Sequence, residues 1–408
     1  KGDLTTTTQV NTRVLDRSSA VNYNKEKSRI NFVDGLRGIA AVYVLIAHAS
    51  NAIFVPDLFG GAKITGTIID RILDIFLLFL QSFGHYAVVL FIVISGYSLM
   101  LGVVRAKDEK LSNGTLVFLK RRAIRLLPTY YAAFFISVVL LLLLSPNVPT
   151  VENIITHIFL VQNWFPASIY SIDGPMWSLA VEWQIYFLFP FLLIPIWKRF
   201  GSLVTVVIGI TSGVIIQFIF DSDQSYIFAW FIGLFALGML AASVGFTKTA
   251  RESSWKKIIP WGGLTLFFIV VWGIIRFASK TNNFEQDINW YKDIVAGIVF
   301  CCLLVYLTNI QTGAKGDSAM NILFRLLSSR LLTFLGSFSY SIYLIHAPIL
   351  FLCSTLLTKL PVPAFFAWCL ILFLGVPVSL ICSYFFYLIF EKPFLKFLQT
   401  PKTRPSLS

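Results

Sequence analysis

The stretch DGLRGIAAVYVLIAH, residues 34–48, decides how the rest of the chain is interpreted. It is apolar enough to form a membrane-spanning helix, yet it holds Arg37 near its start and His48 at its end. Eleven residues at about 100° each make three turns plus about 20°, so both side chains face the same way, about 16 Å apart along the helix. Ionisable residues inside a membrane span are costly, and each one therefore marks a candidate functional position.

The composition of the whole chain agrees with a membrane protein. Of its 408 residues, 57% are hydrophobic, 16% are aromatic and only 13% are charged, and the mean hydropathy is +0.77. Soluble domains of this size do not have such a composition. We therefore predict an all-α, polytopic membrane protein whose principal partner is the lipid bilayer.

A helix needs about 20 apolar residues to cross the bilayer core. Two apolar segments, 67–82 and 151–164, are shorter than this, and we interpret them as interfacial or re-entrant. About ten segments are long enough to span, and they are 34–55, 84–104, 123–144, 175–197, 201–220, 225–245, 258–278, 288–309, 331–357 and 363–390.

The distribution of basic residues supports ten spans with both ends in the cytosol. If the N-terminus is cytosolic, 27 of the 33 Lys and Arg residues fall in cytosolic segments, as the positive-inside rule requires. The net charge of +13 then reports topology, and no nucleic-acid partner is needed to explain it. We predict a flexible cytosolic tail over 1–30, a transmembrane domain over 31–395 and a second cytosolic tail over 396–408.

Three ionisable residues on different spans fall at one depth. Measured by a rise of about 1.5 Å per residue, His48, Glu182 and His346 all lie nearer the outer end of their helices. A lone histidine in a span can also be a core residue hydrogen-bonded across helices, but the convergence of three such groups predicts a site. The residues expected to support this site or to face the acceptor are Asp34, Trp177, Ser178, Ser339, Tyr343 and His346.

A second group of charges lies in KRRAIRLLP, residues 120–128. Arg122 and Arg125 are three residues apart and therefore project from one helix face. Such a cluster can anchor the cytosolic end of a helix. It can also bind a cytosolic polyanion, because guanidinium groups form paired hydrogen bonds with phosphate, and Arg37 at the mouth of the first span can join it.

Together these stretches resemble the acyltransferase-3 family of integral membrane acyltransferases. The stretches that carry the resemblance, in order along residues 31–395, are Arg37 with His48, FIVISGYSLM at 91–100, Arg122 with Arg125, WSLAVEW at 177–183, FSYSIYLIHAP at 338–348 and FEKPF at 390–394. The resemblance implies acyl transfer from cytosolic acyl-CoA, usually acetyl-CoA, to a hydroxyl group, often on a sugar of the cell envelope.

The resemblance also implies roles for residues. His48 and Arg37 would be catalytic, and Arg122 and Arg125 would bind acyl-CoA, a co-substrate rather than a bound cofactor. From its depth, we add Glu182 as a residue that orients an imidazole or stabilises its charge. The acceptor would be an extracytoplasmic carbohydrate or lipid-linked glycan, such as O-antigen of lipopolysaccharide or another envelope polysaccharide. The expected location is the bacterial inner membrane.

Further expectations concern the boundaries of the site. The five cysteines match no metal motif, so we expect no metal. A polar cavity at this depth must be lined by protein, and we expect the first, second, third, fourth and ninth spans to enclose it. The chain ends about 18 residues after the tenth span, so we expect a stand-alone membrane domain without an SGNH hydrolase domain.

One alternative from another functional class is a transporter or flippase for an envelope glycan precursor or a small anion. In that case the buried charges would line a substrate or proton path. Inverted repeats with paired broken helices would favour it, and consumption of acetyl-CoA by the purified protein distinguishes the two classes.

Overall fold

The structure is a computed structural model. It describes residues 30–50, 83–111, 113–220, 226–246, 250–278, 289–313, 318–357, 359–361 and 364–399. Over these ranges the secondary structure is helical, with no strand. The predicted interfacial segment 67–82 lies outside the described residues, as does nearly all of the predicted N-terminal tail. The expectation that both ends are cytosolic stays a prediction.

The described residues form seventeen α-helices. The first nine are α1 Asn31–Ala49, α2 Gly84–Val104, α3 Gly114–Leu144, α4 Val151–Ile158, α5 Trp177–Leu188, α6 Ile194–Phe200, α7 Ser202–Ile219, α8 Phe231–Phe246 and α9 Ala250–Ile258. The remaining eight are α10 Trp261–Ala278, α11 Trp290–Gln311, α12 Ser318–Leu327, α13 Arg330–Ser337, α14 Ser339–Leu357, α15 Ala364–Leu370, α16 Val376–Phe386 and α17 Lys392–Gln399. A π-helical turn, Phe189–Leu193, joins α5 to α6, and two more join α15 to α16 and α16 to α17.

Nine helical segments of the described chain are long and apolar enough to cross a membrane. They confirm a polytopic all-α protein. One predicted span, 225–245, is not among these nine. It corresponds to α8, which has only 16 residues. Fourteen of those residues are buried, because a helix that is apolar all round is covered by other helices. Since protein surrounds α8, it does not need the full thickness of the bilayer.

Three boundaries differ from the prediction. The helix α3 has 31 residues and begins at Gly114, nine residues before the predicted start, so the KRRAIR cluster belongs to the helix itself. The predicted span 331–357 is two helices that meet at Phe338, whose backbone is not helical. Because the sequence is apolar on both sides of Phe338, it gives no signal of the break between the two helices. The last helix ends at Gln399, so residues 396–399 of the predicted tail are helical.

The segment 151–164 does not span, as predicted. Its helix α4 has eight residues, and a capping box between Thr150 and Asn153 closes its N-terminus. Asn153 also donates to the backbone carbonyl of Ala167 and to the Ser168 hydroxyl, which ties α4 to the loop that follows. This loop leads into α5 and therefore fixes the position of the WSLAVEW segment.

Close helix contacts at glycines hold the centre of the bundle together. A Cβ atom at Gly96 of α2 would overlap the carbonyl oxygen of Phe235 of α8, and one at Gly238 of α8 would overlap that of Val93. At Gly336 of α13, a Cβ atom would overlap the carbonyl oxygen of Asp34. Small residues allow such approaches between membrane helices, and these two contacts position the helices that carry the charged residues.

The outer helices show the opposite pattern. In α10 only Trp261 and Thr265 are buried, while side chains such as Leu266 and Phe277 are mostly exposed. Exposed apolar surface of this extent suits lipid and would not persist in water.

We predict that Gly96→Ala destabilises the protein by about 1–3 kcal/mol, because the added methyl group forces α2 and α8 apart. The control is Gly102→Ala in the same helix, where a Cβ atom meets nothing within 4 Å and alanine is the better helix former. Thermal unfolding of the purified protein in detergent measures both changes. Equal midpoints for the two variants would contradict the close α2–α8 contact.

Candidate functional site

A polar cavity lies among five helices. It has a volume of about 110 Å³, and α1, α2, α3, α5 and α14 line it. These are the five helices that the sequence predicted to enclose such a cavity. The polar and charged residues of its lining are Arg37, Ser95, Ser98, Arg122, Arg125, Ser178, Glu182, Tyr186, Ser339, Tyr340 and Tyr343.

Arg37 is held in the first turns of α1 by two side chains. Its Nη1 donates to Asp34 Oδ1 at 3.3 Å, one helical turn earlier, and its Nη2 donates to the Ser98 hydroxyl of α2 at 2.8 Å. The guanidinium group is thus fixed across α1 and α2, and Asp34 offsets part of its charge. The predicted supporting role of Asp34 fits this contact.

Arg122 and Arg125 both reach the cavity from α3, as their spacing predicted. The Arg122 guanidinium lies over the Phe118 ring, 5.6 Å from its centre. Its Nε is buried and has no hydrogen-bond partner among the residues that the structure describes. A buried N–H without a partner is costly, and an anion in the cavity would satisfy it.

Glu182 lies in the same cavity as the three arginines. The Tyr186 hydroxyl, one turn along α5, donates to its Oε1 at 2.5 Å, and Tyr186 also contacts the Ser95 hydroxyl of α2 at 3.1 Å. One carboxylate among three guanidinium groups leaves the lining positively charged, so the cavity is suited to an anionic ligand.

Tyr343 marks the far end of the cavity. Its hydroxyl donates to the carbonyl oxygen of Pro175 at 2.9 Å and lies 2.6 Å from the Ser178 hydroxyl. The Ser178 hydroxyl also lies 3.4 Å from the Pro175 carbonyl, so either hydroxyl can donate to the other. On its other side, the Tyr343 ring lies 5.9 Å from the ring of His346.

His48 and His346 form a pair beside Tyr343. Nδ1 of His48 lies 3.3 Å from Nε2 of His346. Each Nδ1 also lies 2.9 Å from a backbone carbonyl in its own helix, that of Val44 for His48 and that of Ile342 for His346. A carbonyl only accepts, so each neutral ring carries its proton on Nδ1. With that assignment, the one Nδ1 proton of His48 is shared between the Val44 carbonyl and Nε2 of His346, and the lone pair of His48 is on Nε2.

The structure brings the predicted residues together in two groups rather than one. His48 and His346 meet, whereas Glu182 lies in the arginine-lined cavity, whose lining does not include either histidine. Helical rise gives depth but not direction around the helix axis, so equal depth did not guarantee contact. Ser178 and Tyr343 connect the two groups.

Ser339 and Trp177, two residues of the predicted supporting set, have surroundings that differ from each other. Ser339 lines the cavity, and its hydroxyl donates to the Gly336 carbonyl. Trp177, expected to face an acceptor, is buried and stacks on Phe228 with ring centres 4.1 Å apart. It packs in an aromatic cluster and positions the start of α5.

The sequence reasoning missed several residues of the lining. Tyr186 could have been found, because it follows Glu182 by four residues and shares its helix face. Ser95 and Ser98 lie in the FIVISGYSLM stretch that carries the resemblance, but their helix is apolar on all sides, so periodicity did not single them out. Within the described ranges, no group of three or more His, Cys, Asp or Glu residues is arranged to hold a metal.

Comparison with known proteins identifies the family. Residues 30–388 match the family model Acyl_transf_3, described as Acyltransferase domain. The match covers most of the chain, so the protein belongs to this family, and nine of its described helical segments are able to cross a membrane. The resemblance inferred from the six motifs is thereby confirmed.

Individual relatives are distant. The acyltransferase MdmB of Streptomyces mycarofaciens is 29% identical over 40% of this chain and 38% of its own length. The O-acetyltransferase OatA of Staphylococcus aureus is 25% identical over 69% of this chain and 48% of its own length. The chain thus spans less than two thirds of the length of these relatives. No solved structure matches this chain.

Proposed function

We propose that this protein is an O-acetyltransferase that moves an acetyl group from acetyl-CoA to a hydroxyl group of a carbohydrate. The observation that supports it best is the layout of the site, in which a cavity with three arginines adjoins a histidine pair across Tyr343. The names of relatives, such as the O-acetyltransferase OatA, support acetyl as the acyl group.

The arginine-lined cavity would bind the donor. The phosphates of acetyl-CoA are anionic, and guanidinium groups pair with phosphate through two hydrogen bonds. The buried Nε of Arg122, which has no hydrogen-bond partner in the described chain, is one such donor. Arg37 is fixed by Asp34 and Ser98 and therefore presents its charge at a constant position. The thioester at the end of the pantetheine arm would extend toward Tyr343.

The histidine pair would supply the base. As the acceptor oxygen attacks the thioester carbon, His48 Nε2 takes the hydroxyl proton. A C–O bond forms, the C–S bond breaks, and the proton passes from His48 to the leaving sulfur, which gives the ester and free CoA. His346 Nε2 lies 3.3 Å from His48 Nδ1; in this mechanism it accepts a share of that N–H, which orients the ring and stabilises the imidazolium that forms. Its role is analogous to that of the third residue of a triad.

Glu182 would act on the arginines rather than on His48. It lies in the cavity with them and is fixed by Tyr186. A carboxylate there offsets part of the repulsion between neighbouring guanidinium groups. We propose that it keeps the donor site in its working geometry, and the role of orienting an imidazole passes to His346.

The sequence supports a setting for this reaction. From the positive-inside rule we infer that the arginine end of the cavity faces the cytosol, where acetyl-CoA is found. We propose that the protein lies in a bacterial inner membrane. The acceptor, an O-antigen or another envelope polysaccharide or its lipid-linked precursor, would approach from the opposite side.

We predict that His48→Ala lowers kcat/KM for acetyl transfer by at least about 100-fold, the usual contribution of a positioned general base. His48→Gln is the matched variant, because an amide can still donate to the Val44 carbonyl but cannot take the proton. Transfer from radiolabelled acetyl-CoA by purified protein measures both, with thermal unfolding as a check on folding. Near-normal turnover in either variant would contradict the role of His48 as the base.

We predict that Arg122→Ala and Arg125→Ala each raise the KM for acetyl-CoA about tenfold or more, with a smaller effect on kcat, because the phosphates lie far from the reacting atoms. Arg121→Ala is the control, since Arg121 neighbours them in sequence but is exposed and contacts the Leu398 carbonyl. Initial rates measured against the concentration of acetyl-CoA give KM and kcat for each variant. An unchanged KM with a lower kcat would assign the two arginines a different role.

A further inference from the structure

A second cavity lies on the other side of the histidine pair. It has a volume of about 160 Å³ and lies between α3, the loop before α5 and the middle of α14. Its lining includes Ser137, Leu141, Tyr170, Asp173, Pro348 and Phe351. None of these residues lines the arginine cavity, so the two cavities are separate.

Asp173 is the polar centre of this cavity. The residue is only 4% exposed. Its Oδ2 accepts from the Ser137 hydroxyl at 3.2 Å, but its Oδ1 is buried and has no hydrogen-bond partner in the part of the chain that the structure describes. Burial raises the pKa of Asp173 to about 7. A buried carboxyl oxygen without a donor is costly, so a hydroxyl that reached it would bind favourably.

The position of the cavity relates it to the reaction. Along α14, Ser339 and Tyr343 line the arginine cavity, whereas Ala347 and Pro348, directly after His346, line the second one. The histidine pair thus lies between the two cavities. Ser339 and Ala347 are eight residues apart, about 12 Å along the helix axis. The second cavity therefore borders His346, the partner of His48, on the side away from the arginines along α14.

We propose that this second cavity binds the acceptor carbohydrate, with Asp173 Oδ1 accepting a hydrogen bond from a hydroxyl group close to the one that is acetylated. The inference rests on the proposed acetyl transfer and adds the site of the acceptor. Carbohydrates present neighbouring hydroxyl groups, so one can donate to Asp173 while another approaches His48 Nε2.

Tyr170 gives the cavity a second carbohydrate-binding feature. Its ring lines the cavity and is 43% exposed, and it packs edge-on against the ring of Tyr226 with centres 5.7 Å apart. An aromatic ring that is fixed on one side and exposed on the other offers an apolar face with a polar edge. A sugar ring has the complementary surface, with C–H groups on its face and hydroxyl groups around its rim.

The test compares Asp173→Asn with Glu152→Gln, which removes a carboxylate from the exposed surface of α4. The probes are methyl glycosides of glucose, galactose, rhamnose and N-acetylglucosamine, with their binding to full-length protein in detergent measured by saturation-transfer NMR. We expect the wild type to bind at least one glycoside. At pH 8, above the pKa of Asp173, Asp173→Asn should weaken that binding about tenfold or more, because a neutral amide oxygen replaces a charged acceptor, while the affinity for acetyl-CoA is unchanged.

Two further measurements keep the inference separate from a loss of folding and from the proposed function. Tyr170→Ala, a change at a partly exposed ring, should also weaken glycoside binding and leave the affinity for acetyl-CoA unchanged. A monodeoxy series of the bound glycoside should show one hydroxyl whose removal weakens binding to the wild type but not to Asp173→Asn. Such a pattern assigns that hydroxyl to Asp173.

Several outcomes would overturn the inference. The first is that the wild type binds none of the glycosides. The second is that wild type and Asp173→Asn bind a glycoside equally well. The third is that Asp173→Asn loses as much affinity for acetyl-CoA as it loses for the glycoside. If His48→Ala abolishes acetyl transfer while Asp173→Asn binds glycosides normally, the acceptor site is wrong and the proposed function stands. Glycoside binding that depends on Asp173 without any acetyl transfer by the wild type would instead contradict the proposed function.

Discussion

The guanidinium groups of Arg37, Arg122 and Arg125 share one cavity inside a bundle whose outer helices are apolar. Charges at such depth persist only where protein, water or a ligand surrounds them. The fold meets this constraint with five helices that close around the cavity, and with glycine contacts that let α2 approach α8 and α13 approach α1. The carboxylates of Asp34 and Glu182 offset part of the charge.

The same constraint separates the parts of the reaction in space. Three guanidinium groups share the arginine cavity, and the histidine pair lies beyond Tyr343. In the proposed account, a base close to three arginines would be a poor proton acceptor, because neighbouring positive charge disfavours its protonated form. In that account, distance along α1 and α14 would keep the base effective, and the long pantetheine arm of the donor would bridge that distance.

Periodicity and depth predicted much of this arrangement from the sequence. Hydropathy gave the spans, the i, i+3 spacing put Arg122 and Arg125 on one face, and helical rise brought His48 to the level of His346. To predict that Glu182 lies with the arginines, one also has to know how α5 is rotated about its axis. The helical rise does not give that rotation. Ser98, in a uniformly apolar helix, and Asp173, in a loop, carry no periodic signal, and only the packing of distant segments shows their contacts with Arg37 and Ser137.

The central claim is that donor and acceptor reach the histidine pair from opposite ends of the bundle. It can be tested with protein reconstituted in sealed vesicles and sorted by orientation, with acetyl-CoA and a membrane-impermeant glycoside that the protein binds. The account predicts that product forms when acetyl-CoA is on the side of the arginine cavity and the glycoside is on the other side. Product formation only when both substrates are on the arginine side would contradict it.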